Sequence, residues 1–213
     1  DRLRGLIERA HDCGAALLVG PMFQVLGKFS GVGPTQEEPD RAAEVHRAVT
    51  PFAQAAGVEI SLEPLNRFEA YLLNTVEQTV AYLDALDNPS FGALYDTFHA
   101  NIEEKSPLAA ARAIARSGRL NHVHISENDR GTPGRGHAPL RETIQTLKAL
   151  GYDRWLTIEA FGSAVPELAA ATRVWRDFFP NPEEVYREGY RLIRDAWDAA
   201  PGPDAQGRLP DAG

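Results

Sequence analysis

The sequence contains little sulfur. Among its 213 residues there is one methionine and one cysteine, Cys13. A single thiol cannot form an intrachain disulfide, so the fold must depend on packing, and we expect a reducing, cytoplasmic compartment. No paired base is evident beside Cys13, and the residue therefore gives no signal of a catalytic nucleophile.

The sequence also lacks an excess of positive charge and any long apolar run. Lys and Arg number 22 against 30 Asp and Glu, which gives a formal charge of −8. Phosphate backbones and anionic lipids repel such a chain, so we predict neither nucleic acid nor a membrane as a partner. No segment approaches the roughly 18–20 uncharged apolar residues that a membrane span needs.

Short apolar segments rich in β-forming residues recur along the chain. Their apolar character is nearly continuous, which is typical of parallel strands covered on both faces. A weaker sixth strand is predicted at residues 172–178. The five clearer strands are predicted at residues 15–20, 58–65, 91–96, 120–126 and 155–160.

Helical patterns lie between the predicted strands. Thr75 and Gln78 form a capping box before a helix that runs to Leu86, and Ser106 with Pro107 begins another. We predict a loop at residues 25–36 and a disordered tail at residues 201–213. Further helices are predicted at the start of the chain (residues 1–11), within residues 37–56 and over residues 182–200.

The alternation of strands and helices predicts an α/β fold. Units of about 30 residues suit either an open doubly wound sheet or a closed (β/α)8 barrel of the TIM type. No Gly-rich phosphate fingerprint follows a strand, which favours the barrel. Six strands are fewer than the eight of the common barrel, so we predict one partial barrel domain over residues 1–200 that lacks the first two βα units.

A partial barrel would expose two sheet edges and part of its apolar interior. We therefore expect this chain to self-associate as a homo-oligomer or to be poorly soluble, with weak or no turnover. Adding roughly 70–80 N-terminal residues, the length of two βα units, should then restore a soluble enzyme.

Four of the predicted strands end in a potential metal ligand. Successive strands of a barrel place their carboxyl ends around one mouth, so side chains about one βα unit apart can converge there. A lone carboxylate at a strand end is more often a helix cap, but four in register predict a metal site. Three carboxylates and one imidazole suit Mn²⁺, Co²⁺ or Mg²⁺ more than a structural zinc ion. The residues are Glu63, Asp96, His124 and Glu159.

Longer motifs surround these residues. They read EPLNRFE at 63–69, DTFHANIEE at 96–104, HVHISENDR at 122–130 followed by PGRG at 133–136, and IEAF at 158–161. In order and in content they resemble the ketose 3-epimerases of the D-tagatose/D-allulose (psicose) type, which belong to the xylose-isomerase-like barrel superfamily.

The resemblance implies an isomerase that binds one divalent ion and epimerises a free ketose at C3. It implies that Glu69, His99 and Arg130 contact the sugar; arginine and histidine can donate to hydroxyl oxygens, and a carboxylate can accept. The proton at C3 is acidic because of the neighbouring C2 carbonyl, and a metal ion would stabilise the enediolate. Glu63 and Glu159 would act as the acid and base on opposite faces of the sugar, and which serves which stays open.

The remaining histidines and tryptophans carry no comparable pattern. We interpret His122, two residues before His124, as a core or supporting histidine because the period of a strand moves it away from the mouth. Structural or surface positions are predicted for His11, His46 and His137, and packing roles for Trp155, Trp175 and Trp197.

Three other functions stay open. Another sugar or sugar-phosphate isomerase of the same superfamily would need a phosphate site, for which Lys28, Arg130 and Arg135 are the few candidates. A phosphodiesterase like the abasic-site endonucleases would need more metal ligands and a basic face, and the charge of −8 argues against it. A noncatalytic barrel fragment that retains the motifs is the third.

Overall fold

The computed structural model describes residues 2–202 and divides into two compact units. The first unit holds the residues up to Tyr95 together with Ser117–His122, and the second holds Asp96–Arg116 and the residues from Val123 onward. The predicted disordered tail lies outside the described residues from residue 203 on. The single domain over residues 1–200 stays a prediction.

The first unit alternates helices and parallel strands. In chain order its elements are α1 (Arg2–Asp12), β1 (Leu17–Gly20), α2 (Glu37–Ala56), β2 (Glu59–Leu62), α3 (Val76–Leu86) and β3 (Phe91–Asp96), whose last residue belongs to the second unit. Leu18 pairs with Ile60, and Ile60 pairs with Phe91. The predicted capping box at Thr75 and Gln78 begins α3. Buried aliphatic side chains of β2 and α3, such as Leu62 and Leu83, form the core.

The second unit continues the same alternation. Its elements are α4 (Thr97–Glu103), α5 (Pro107–Arg116), β4 (Leu120–Ile125), α6 (Leu140–Ala149), β5 (Leu156–Ile158), α7 (Pro166–Thr172) and α8 (Pro182–Ala199). The first three residues of β4 belong to the first unit. Val123 pairs with Leu156 in a parallel register, and the helices α6 and α8 pack against each other.

The described strands are hydrogen-bonded in chain order from β1 to β5. Within the first unit, the amide of Ala93 in β3 donates to the carbonyl of Arg119, directly before β4, at 2.7 Å. The five clearer strands predicted from the sequence are thereby confirmed, although β5 is only three residues long. Parallel strands joined by helices present their carboxyl ends at one edge, which is where this fold class carries its sites.

The predicted sixth strand at residues 172–178 is wrong. Helix α7 ends at Thr172, and Arg173 adopts the left-handed conformation at φ 59°, which interrupts the extended backbone that a strand needs. Val174 is buried from the irregular segment that follows, so its apolar character serves packing without a strand. Neither α1 nor residues 25–36 supply a strand; the latter form a loop, as predicted.

Two of the three predicted packing tryptophans are also wrong. Trp155 is 74% exposed and Trp175 is 72% exposed. Trp155 directly precedes β5 and Trp175 lies in the irregular segment after α7, and at both positions no neighbouring element covers the ring. Trp197 is half-buried, with the ammonium of Lys148 at 5.4 Å from its ring centroid.

Within residues 2–202, every helix is too short or too polar to cross a membrane.

Candidate metal and sugar site

Three potential metal ligands meet at strand ends in the second unit. Asp96 is the last residue of β3, His124 is the next-to-last residue of β4, and Glu159 directly follows β5. Nδ1 of His124 lies 3.4 Å from Oδ2 of Asp96 and 3.2 Å from Oε1 of Glu159. Asp96 and His124 are buried, whereas the side chain of Glu159 is 22% exposed.

Asp96 both caps a helix and faces the cluster. Its Oδ1 accepts the amides of Phe98 at 2.7 Å and His99 at 3.0 Å in the first turn of α4. These two bonds fix the carboxyl group so that Oδ2 points toward His124. Asp96 can therefore cap the helix through one carboxylate oxygen and bind a metal ion through the other.

Asp96 is held in its ionised form. Burial by itself would raise the pKa of this carboxyl, but the hydrogen bond with His124 and the electrostatic influence of the His124 and His99 rings outweigh burial, and the pKa lies below its ordinary value. A buried carboxylate that stays ionised requires positive charge beside it, which a metal ion would also provide.

The three side chains fit a divalent cation. Two carboxylates and one imidazole offer ligand atoms that lie within 4.8 Å of one another. Ligand atoms around an ion at about 2.1 Å are themselves roughly 3.0–3.4 Å apart. The separations of 3.2 and 3.4 Å from His124 Nδ1 fall in that range. Oxygen-rich donors of this kind suit Mn²⁺ or Mg²⁺.

Glu63 lies in the first unit, directly after β2. It is 7% exposed, and its amide donates to the carbonyl of Gly20 at 3.1 Å. In the parallel pairing of β2 with β3, Leu62 stands opposite Ala93, so Glu63 leaves the sheet at the carboxyl end of its strand. The position at a strand end that the sequence predicts is the one observed.

Arg130 and His99 come together in the second unit. Both are buried, and Nη2 of Arg130 lies 3.3 Å from Nε2 of His99. The guanidinium carbon lies 4.1 Å from the ring centroid of Phe98 and 5.1 Å from that of Phe161. Two aromatic faces thus hold the guanidinium in place. The sequence did not predict this contact, although both phenylalanines lie within the motifs at residues 96–104 and 158–161.

Glu69, in the first unit, is held by its own loop. Its Oε1 accepts a hydrogen bond from Nδ2 of the buried Asn66 at 2.9 Å, and its carbonyl accepts the amide of Gly27 at 3.0 Å. The carboxyl group is half-buried. It is therefore a fixed acceptor, not a freely solvated surface group.

The other histidines occupy structural positions. His46 is buried, and its ring nitrogens contact the hydroxyl of Tyr82 at 2.6 Å and the carbonyl of Met22 at 3.0 Å. His11 contacts the carbonyl of Ala56 at 2.9 Å, and His137 is exposed. These placements agree with the predictions for the three residues, and His122 is buried, as expected for a core position.

Comparison with known proteins identifies the family. A family model described as xylose isomerase-like TIM barrel matches residues 1–196. The chain is 35% identical to a probable ketose 3-epimerase of Synechocystis sp., over 92% of this chain and 67% of that protein. It is 33% identical to a ketose 3-epimerase of Arthrobacter globiformis, over 89% of this chain and 67% of that one.

Solved structures agree with the sequence relatives. A structure of an L-ribulose 3-epimerase matches with a TM-score of 0.87 and 31% identity, over 92% of this chain and 66% of that chain. A D-allulose 3-epimerase from Methylomonas sp., solved in complex with D-allulose, matches with a TM-score of 0.85 and 28% identity, over 91% of this chain and 67% of that chain.

The chain belongs to the xylose isomerase-like TIM barrel family. Its relatives place it among the isomerases of the ketose 3-epimerase type, which confirms the resemblance read from the motifs. The fold class is confirmed as well: the described residues hold five parallel strands of a barrel whose common form has eight. The chain spans about two thirds of the length of these relatives, 67% of the Synechocystis protein.

Proposed function

We propose that this chain epimerises a free ketose at C3 with the help of one divalent metal ion. The observation that carries the proposal is the buried contact of His124 with Asp96 and Glu159 at strand ends, in a chain whose relatives are ketose 3-epimerases. Such a cluster supplies both the ligands of an ion and carboxylates for proton transfer.

Glu63 is the fourth ligand in this proposal. Its carboxylate would bring the number of ligand atoms to four. Its burial and its place directly after β2 support this role, because a buried carboxylate is favourable only when paired or metal-bound. The ion, Mn²⁺ before Co²⁺ or Mg²⁺, would supply positive charge that stabilises the enediolate oxygens of the substrate.

Two glutamates exchange the proton at C3. One carboxylate removes the proton, which leaves its electron pair in the enediolate, and the carboxylic acid of the other returns a proton to the opposite face of the carbon. Together the two proton transfers invert C3 and restore the carbonyl. Exchange of one proton of each glutamate with solvent water then returns the pair to its starting protonation, so that no co-reactant is consumed. Glu63 and Glu159 are the two groups, and the handedness of the sugar decides which of them acts as the base.

Arg130, His99 and Glu69 orient the sugar. The guanidinium and imidazole donate to its hydroxyl oxygens, and the carboxylate accepts from a hydroxyl group. The buried position of Arg130 over two aromatic rings supports this role because it fixes the direction of the donors. The complex of the Methylomonas relative with D-allulose supports a ketohexose as the substrate.

The site of deuterium uptake tests the proposed reaction. The chain, loaded with Mn²⁺, is incubated in D₂O with D-fructose, D-allulose and D-tagatose, and the recovered sugars are examined by NMR. Deuterium at C3 with formation of the 3-epimer is expected. Deuterium only at C1 would indicate aldose–ketose isomerisation instead, and no incorporation with any sugar would remove the proposal.

The variants Glu63→Gln and Glu159→Gln test the proton transfer. Each should lower kcat by roughly 100-fold or more, because an amide neither removes nor returns the proton. Metal analysis of each variant separates a lost ion from a lost proton-transfer group. Glu142→Gln, at an exposed position in the first turn of α6, is the matched control and should leave kcat unchanged.

A further inference from the structure

Glu127 is a buried carboxylate that the proposed reaction does not use. It lies two residues beyond β4 in the second unit and is 1% exposed. Its Oε1 accepts the amides of Asn128 at 3.0 Å and Ala138 at 2.9 Å, and its Oε2 accepts the amide of Gly134 at 2.9 Å. One side chain thereby joins the two ends and the middle of the segment 127–138, which we call the arginine loop because it carries Arg130.

The backbone of Arg130 is fixed from both sides within this loop. Its amide donates to the carbonyl of Glu127 at 2.9 Å, and its carbonyl accepts the amide of Phe161 at 3.0 Å. Arg130 adopts a left-handed conformation at φ 62°, which costs an arginine free energy and persists only where the surroundings impose it. The hydrogen bonds of the buried Glu127 carboxylate form part of those surroundings.

The loop closes tightly around Glu127. A Cβ atom at Gly136 would lie 2.1 Å from Oδ1 of Asn128 and 2.6 Å from Cδ of Glu127. Oδ1 of Asn128 also accepts the amide of His137 at 2.8 Å. The side chains of Glu127 and Asn128 therefore pack directly against the backbone at Gly136, and any side chain at that position would displace them.

We propose that Glu127 is a positioning residue that sets the guanidinium of Arg130 for binding of the ketose. The inference rests on the proposed function, in which Arg130 contacts the sugar. A carboxylate suits this task because both of its oxygens accept, and three amide donors meet them. A glutamine would turn an NH₂ group toward at least one of those amides, so that two donors would face each other.

The kinetic test compares Glu127→Gln with Glu188→Gln. Glu188 forms an ion pair at 2.7 Å with Arg135 on the outside of the same loop, with its side chain 29% exposed, so the same chemical change there leaves no buried donor unpaired. In the Mn²⁺-loaded full chain, Glu127→Gln should raise KM for the ketose about 10-fold or more, with Mn²⁺ affinity unchanged. Glu188→Gln should change neither. An unchanged KM in Glu127→Gln, with only the active fraction reduced, would overturn the proposal.

A double-variant cycle tests whether Glu127 acts through Arg130. In an Arg130→Met background, Glu127→Gln should lower kcat/KM by less than about twofold, because the group that it positions is gone. If the losses of kcat/KM caused by the two substitutions multiply in the double variant, Glu127 acts on the fold in general and the proposal is wrong.

Hydrogen exchange provides a readout that does not depend on turnover. The amides of Gly134 and Ala138 should exchange faster in Glu127→Gln, while the buried α6 residues Ile144 and Leu147 keep their protection. A uniform loss of protection, or none, would overturn the positioning role.

Failure of the proposed function is distinguishable from failure of this inference. If the parent chain epimerises no ketose, the proposed function falls, and calorimetric binding of D-allulose in the presence of Mn²⁺ then takes the place of KM. Weaker binding of D-allulose by Glu127→Gln than by Glu188→Gln would support the positioning role of Glu127. Equal binding by the two variants, or no binding by the parent, would overturn that role.

Discussion

Nε2 of His99 lies 3.3 Å from Nη2 of Arg130. A guanidinium has donors and no acceptor, so in this contact the imidazole nitrogen accepts and carries no proton. In a neutral His99 ring, the proton therefore resides on Nδ1. The pair thus presents a set of donors of fixed direction beside the Asp96–His124–Glu159 cluster of the same unit.

Replacing Arg130 by lysine keeps the charge but removes the planar fork. We expect Arg130→Lys to raise KM for the ketose about 10- to 100-fold, since a hydrogen bond to a charged group contributes about 1.5–3 kcal/mol and the single ammonium nitrogen of lysine cannot reproduce the spaced donors of the guanidinium. Steady-state kinetics measures the change. Arg135→Lys is the control, because its ion pair with Glu188 is largely exposed and should contribute little. Equal KM values in the two variants would argue against the assigned role.

Mn²⁺ should stabilise the chain through His124. At a concentration about 100-fold above its Kd, the ion should raise the thermal unfolding midpoint of the parent by about 5–10 °C. His124→Ala should lose this response, and metal analysis after dialysis should find about one ion per parent chain and none in the variant. His137→Ala, at an exposed histidine, should behave like the parent. A full response in His124→Ala would exclude this histidine as a ligand.

His46 should make stability depend on pH. Burial lowers its pKa, an effect that exceeds the opposite influence of the Met22 carbonyl, so the folded state holds the ring neutral. Because the unfolded chain binds the proton more readily, this contribution is complete above about pH 6.5 and is lost as the pH falls from 6.5 toward the lowered pKa.

Urea unfolding at several pH values measures this effect. Between pH 7.5 and 5.5, the free energy of unfolding should fall more in the parent than in His46→Gln. The contribution of His46 to the slope of this free energy against pH is at most about 1.4 kcal/mol per pH unit. His11→Gln, at an exposed site, serves as the control. Parallel slopes for the parent and His46→Gln would contradict the assignment.

A methyl group should not fit at Gly92 in β3. A Cβ atom there would lie 2.2 Å from Nδ2 of Asn121 and 2.8 Å from the carbonyl of Arg119. We expect Gly92→Ala to cost about 1–3 kcal/mol of unfolding free energy, because the backbone carbonyl cannot move aside cheaply. Gly33→Ala has no atom within 4 Å of the added Cβ and should stay within about 0.5 kcal/mol of the parent. Similar midpoints in chemical denaturation would refute the predicted clash.

The strands and the ligand positions were predictable because their signals are local. A nearly continuous apolar run such as residues 91–96 favours one buried strand, and a polar residue that ends the run marks the carboxyl edge. The capping box of Thr75 and Gln78 likewise depends on residues three positions apart. The motifs around Glu63, Asp96, His124 and Glu159 then identified the family without reference to coordinates.

The failures share a different cause. Residues 172–178 contain several β-forming residues and so favour a strand, but the left-handed Arg173 and the burial of Val174 depend on packing against the rest of the unit. The exposure of Trp155 and Trp175 likewise depends on whether another element covers them, which no local pattern specifies.

The sequence by itself determined the family, the alternation of strands and helices and the candidate ligands, because local periodicity and motif content carry that information. Only the tertiary structure decided that Asp96 both caps α4 and faces His124, that Phe98 and Phe161 contact the guanidinium of Arg130, and that Glu127 holds the arginine loop. These relationships join residues far apart in the chain. Their distances depend on how each strand end and loop packs, which spacing along the sequence does not encode.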